Sequence, residues 1–135
     1  MSGLQFDWEA VAHKAVLQVM GRNERRMSDG SLSWDALALT VGDNAVVLTV
    51  TADTDEIVVC HEPVPRCEDW LVVPALADAV GKRLGWCWVA TNYLGYRDSF
   101  TLALGDVAPD ALEPRLTFLA EGCSLSCFNL TPRNA

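Results

Sequence analysis

The sequence predicts an α+β domain, an antiparallel β-sheet meander packed against one main helix. Three observations lead there. Residues 34–41 (WDALALTV), 45–51 (AVVLTVT) and 56–60 (EIVVC) are apolar, partly β-branched runs, joined by Gly42-Asp43-Asn44 and Asp53-Thr54-Asp55. Those connections are too short for parallel crossovers. Residues 73–84 (VPALADAVGKRL) place Pro74 early, Leu76, Ala79 and Val80 on one face, and Lys82 and Arg83 near the end, which reads as a helix. Residues 84–104 hold two strand-like runs, 86–91 and 98–104, around an Asn-, Tyr- and Gly-containing turn.

The remaining elements follow from local chemistry. Asp7 caps a short helix over 7–13 (DWEAVAH), with Trp8, Val11 and Ala12 on one side. Residues 15–26 read as a strand after that helix, and Ser28-Asp29-Gly30-Ser31 supplies a hairpin turn. Residues 61–69 (HEPVPRCED) carry two prolines and no periodicity, so they form a loop. Residues 105–114 connect to a final hairpin, 115–120 and 123–130, turning at Glu121-Gly122. No repeat or linker divides the 135 residues, which make one domain long enough for a proper core.

Composition narrows the function classes. Asp and Glu number 18 against 10 Lys and Arg, a formal charge of −8. Such a surface repels phosphate backbones, so nucleic acid is not an expected partner, whereas a basic protein is. The N-terminal residues lack a basic region followed by an apolar one, and no uncharged run reaches the about 18 residues of a spanning helix. The expectation is a cytoplasmic protein without membrane association, its five cysteines reduced and mostly buried.

No catalytic signature emerges. Cys123 and Cys127, four apart on a strand, sit about 13 Å from each other, too far to share one zinc ion. Cys60 and His61 are strand neighbours on opposite faces, and His13 is the only other histidine. No catalytic residue, metal site or cofactor is expected. Asp53, Asp55 and Glu56 crowd one turn, where ordinary turn chemistry competes with Mg²⁺ or Ca²⁺ coordination joined by Asp98 or Asp43. In 91–98 (TNYLGYRD), Asn92 and Gly95 build a turn that gathers Tyr93, Tyr96, Arg97 and Asp98, and Tyr and Arg are favoured at binding hot spots. Trp86 and Trp88 share one face of their strand and are expected in the core.

The run Gly85, Trp86, Trp88, Asn92, Gly95, Tyr96 and Asp98, with residues 34–39 and 51–59, resembles a small bacterial protein family of uncharacterised function. The resemblance covers the middle two-thirds of the chain and brings no activity, substrate or cofactor. It implies the two turns as the places for a site. The sequence thus supports a non-catalytic protein-interaction module, immunity-like or regulatory, with homodimerisation through an edge strand open. The alternative is a metal-dependent hydrolase or nucleotide-binding enzyme using the clustered carboxylates.

Overall fold

The strands of this chain form two antiparallel sheets around one shared apolar core. The structure, a computed structural model, describes residues 4–105 and 113–130. Its strands are β1 (Gln18–Arg22), β2 (Arg25–Arg26), β3 (Leu32–Trp34), β4 (Ala36–Val41), β5 (Asn44–Thr51) and β6 (Glu56–Pro63). They continue with β7 (Trp70–Val72), β8 (Arg83–Thr91), β9 (Arg97–Gly105), β10 (Pro114–Glu121) and β11 (Ser124–Asn129). One sheet runs β6-β5-β4-β1-β7 and the other β2-β3-β11-β10-β9-β8. Leu37, Leu39, Val46, Leu48, Ile57 and Val59 from the first meet Phe100, Leu102, Leu116, Phe118 and Leu125 from the second. Phe100 and Phe118 lie 6.3 Å apart between ring centroids, and Trp8 meets Phe100 edge-on at 5.9 Å.

The expected α+β class is therefore wrong, and the described chain is all-β, with helical turns only at Trp8–Ala10 and Pro74–Ala79. The main helix expected over 73–84 fails for a physical reason. A twelve-residue helix is marginal on its own, and strand pairing claims both of its flanks. Val73 N–H donates to Val19 C=O at 3.0 Å, Gly81 N–H to Val16 C=O at 2.8 Å, and Val16 N–H to Lys82 C=O at 2.8 Å. What remains between is a 3-10 segment kinked at Leu76, and Arg83 and Leu84 open β8 instead of closing a helix. The N-terminal helix likewise shrinks to one 3-10 turn, with Asp7 capping Glu9 N–H at 3.1 Å.

The apolar run 34–41 hides a change of sheet. β3 belongs to one sheet and β4 to the other, as do β2 and β1, so residues 18–41 make one long hairpin folded over at Asn23 and Asp35. Asn23 has a positive φ of 58° and donates its side-chain amide to Asp35 at 2.9 Å. Arg25 pairs with the same carboxylate at 2.9 Å, and Asp35 N–H reaches Arg22 C=O at 2.9 Å. The Trp34 ring crosses the fold directly over Gly21, where a Cβ would lie 2.5 Å from Trp34 Cδ1. Trp34 Nε1–H donates to Glu24 at 2.9 Å.

Candidate functional site

At one end of the two sheets, three hairpin turns are tied together by two neighbouring carboxylates. Residues 52–55 form the turn between β5 and β6, closed by Asp55 N–H to Thr51 C=O at 2.9 Å. Asp55 takes a left-handed backbone, φ 54°, which aims its carboxylate across to the β10–β11 turn. There it accepts Cys123 N–H at 2.8 Å and Gly122 N–H at 3.2 Å. Glu56, one residue on, points to the other hairpin. Its Oε2 accepts Arg97 N–H at 3.1 Å and faces the Arg97 guanidinium at 3.7 Å, while Oε1 accepts the Thr54 hydroxyl at 3.0 Å. The Arg97 N–H bond, then the Thr54 hydroxyl and the Arg97 charge, hold the Glu56 carboxyl below its usual value.

The β8–β9 turn is built by Asn92. Its Oδ1 accepts Leu94 N–H at 2.9 Å and Tyr96 N–H at 3.3 Å, and its Nδ2 donates to Asp98 at 3.3 Å. The backbone closes over it, Asn92 N–H to Tyr96 C=O and Gly95 N–H to Asn92 C=O, both 2.9 Å. This cage leaves Tyr93 95% exposed, with Leu94 and Tyr96 exposed beside it. Of the predicted site residues, Glu56 and Arg97 meet directly, Asn92 and Asp98 meet each other, and Asp55 turns away to Cys123. Asp53 and Tyr93 stand exposed.

Trp86 and Trp88 overturn the expected core placement, being 61% and 39% exposed. Beyond the buried Leu84, Cys87 and Val89 are the residues of β8 that pack against the core, so the alternation expected over 86–91 is correct and its faces are reversed. The register explains the reversal. Trp88 lies opposite Thr101, which is followed by Thr117 and Phe128 across the outer face of the sheet. The Thr101 and Thr117 hydroxyls are 3.1 Å apart.

Among the described residues no group of three or more His, Cys, Asp or Glu side chains is placed to hold a metal ion. The cysteines are less buried than expected, since Cys67 and Cys123 are exposed. Burial pushes the Cys87 thiol up to about 11 and that of Cys127 up to about 12. Burial, with Glu62 nearby, also raises that of Cys60.

The family described as "Family of unknown function (DUF6334)" matches residues 1–134. The chain belongs to that family. No curated protein and no solved structure matches it.

One feature of this DUF6334 member had no sequence signal. Beside the hairpin fold at Asn23 and Asp35 lies a cleft of about 640 Å³ between the end of β1 and β7, lined by Arg22, Glu24, Asp35, Asp69, Leu71 and Val72 among others. Arg22 stacks its guanidinium 5.4 Å from the Trp70 ring centroid. The Asn23 amide, with Arg25 behind it, lowers the Asp35 carboxyl. These residues come from segments nearly fifty positions apart, and nothing in 21–26 points to its partner in 69–72. No helix among the described residues is long and apolar enough to cross a membrane.

Proposed function

We propose that this protein is a non-catalytic protein-binding module, immunity-like or regulatory, whose recognition element is the β8–β9 turn. The observation that carries this reading is the exposure of Tyr93 on a turn whose backbone is held at both ends. Asn92 cages it from within, and Glu56 fixes Arg97 where β9 begins. A large amphipathic side chain on a preorganised backbone loses little freedom on binding, which is what makes tyrosine effective at interfaces. A net charge of −8 favours a basic partner and speeds its encounter.

The alternative, a metal-dependent hydrolase or nucleotide-binding enzyme using Asp53, Asp55, Glu56 and Asp98, draws no comparable support. Asp55 and Glu56 spend their oxygens on backbone N–H groups of two different hairpins, and Asp98 takes the Asn92 amide. Convergent cation ligands need their oxygens aimed at one point.

The test places a photo-cross-linking amino acid at Tyr93 and, separately, at Asp43 in the exposed turn at the other end of β5, in cells that make the protein. The reading expects a discrete product with one other protein from position 93 alone. That protein, purified, then binds the wild type, loses affinity to Tyr93→Ala and Tyr96→Ala, and binds more weakly as salt is raised. Identical products from both positions, or binding indifferent to both tyrosines, contradict it.

A further inference from the structure

The β8 strand ends its sheet, and only its first half is covered. His13 N–H donates to Leu84 C=O at 2.7 Å, Leu84 N–H to Lys14 C=O at 2.9 Å, and Trp8 Nε1–H to Gly85 C=O at 2.8 Å. Among the described residues no such bond reaches 86–91 on the side away from β9. Natural edge strands are blunted by charge, proline or bulges. Residues 86–91 read Trp-Cys-Trp-Val-Ala-Thr, with neither charge nor proline. The two β8–β9 register shifts, between Leu84 and Cys87 and between Ala90 and Thr91, fall at the ends of this stretch and leave 87–90 in continuous register.

The backbone directions follow from the covered half. Leu84, whose side chain is buried, turns its N–H and C=O away from β9. The paired residues Leu104 and Leu102 on β9 are two apart, so Cys87, opposite Leu102, has the same orientation as Leu84, and so does Val89, opposite Phe100. Cys87 and Val89 therefore present four outward backbone groups, while Trp86, Trp88 and Ala90 stand on the outer face.

We propose that residues 86–90 pair antiparallel with the same residues of a second copy of this chain, about a two-fold axis at Trp88. The pattern is self-complementary. Cys87 of one copy exchanges both backbone hydrogen bonds with Val89 of the other, and the reverse, so all four outward groups are satisfied. On the outer face Trp86 falls opposite Ala90, a large side chain against a small one, and the two Trp88 rings meet at the axis. Neither strand brings a carboxylate into the contact, although each chain carries a formal charge of −8. One short strand pair buries less than a standard interface of about 1,600 Å², so the association is weak, on the order of micromolar.

Long-range repulsion between two acidic bodies is screened by salt, so raising ionic strength strengthens this dimer. A basic partner seated on the same edge is weakened by salt instead. Sedimentation velocity of the full chain, from about 1 to about 200 µM across that affinity range, expects a monomer shifting toward dimer with concentration and with added salt. Trp88→Lys sets two ammonium groups side by side at the axis and is expected to weaken dimerisation at least about tenfold with an unchanged circular dichroism spectrum. A second measurement needs no loss of binding. In a Cys67→Ser, Cys123→Ser background, Trp88→Cys is expected to form an intermolecular disulfide under mild oxidation, since directly opposed residues have Cα atoms about 4.5 Å apart. Ala90→Cys, about 13 Å from its own copy in this register, is not. A monomer at every concentration and salt, association weakened by salt, or equal cross-linking of the two cysteine variants overturns the proposal.

Discussion

Glu56 reaches Arg97 twice through one oxygen, accepting its backbone N–H at 3.1 Å and facing its guanidinium at 3.7 Å. Residues 41 positions apart, on strands of different sheets, are thereby locked together. Because the folded protein holds the Glu56 carboxyl below its ordinary value of 4.5, its ionised form stabilises the fold. That contribution is fully present above the ordinary value and is lost as pH falls through the lowered one. Glu56→Gln is therefore expected to be less stable than wild type at pH 7, with the difference closing below the lowered value. Urea unfolding across that acid range measures it, and a gap that widens on acidification contradicts the assignment.

Asp55 makes the second tie. Replacing it with Ala removes the acceptor for Cys123 and Gly122 N–H and puts a residue with no side-chain acceptor at φ 54°. The expected cost is about 1–2 kcal/mol. Asp55→Asn keeps one acceptor oxygen and tolerates the left-handed backbone, so it should cost less. Amide exchange at Gly122 and Cys123, read by NMR, should accelerate in the Ala variant more than in the Asn variant.

Gly21 has no room for a side chain. A Cβ there would stand 2.5 Å from Trp34 Cδ1, 2.9 Å from Nε1 and 3.0 Å from a Val73 methyl. Gly21→Ala should destabilise by about 1–3 kcal/mol, the usual range for overpacking. Trimming the ring in the double variant Gly21→Ala/Trp34→Leu should cost less than the sum of the two single changes, which a double-mutant cycle in urea reads directly.

The thiols divide by burial. At pH 7.5 a maleimide should label Cys67 and Cys123, the exposed pair, within minutes. Cys87 and Cys127, with thiols pushed up to about 11 and about 12, should react only when the chain is unfolded. Mass spectrometry of peptides from native and denatured samples distinguishes the sites.

Local patterns carried much of the strand map. Strand β5 followed from its β-branched run, and the 86–104 hairpin from two alternating runs about a turn of Asn and Gly. The turn over 28–31 appears as expected, with Gly30 N–H to Met27 C=O at 3.0 Å and Asp29 capping Ser31. Residues 61–63, expected in a loop, extend β6 instead, because Pro63 is the last residue of an outermost strand. The connector over 105–114 lies for the most part outside the described residues. What sequence could not convey was partnership at long range. Helical spacing in 73–84 was outweighed by backbone pairing with 16–19, and the faces of Trp86 and Trp88 were reversed by a core that fills from Cys87 and Val89. Both candidate turns were legible as turns, yet that Glu56 would meet Arg97 and Asp55 would meet Cys123 depends on how two sheets stack. An acidic Asp-Thr-Asp-Glu string looks the same whether it faces a cation or an amide.

The central claim is that Asp55 and Glu56 serve as ties between hairpins. Thermal unfolding of wild type and the Asp55→Asn/Glu56→Gln variant, with and without millimolar Mg²⁺ or Ca²⁺, tests it most directly. The account predicts a lower Tm for the variant and no cation-dependent shift in either protein. A wild-type Tm raised by the cation, with the rise abolished in the variant, would contradict it.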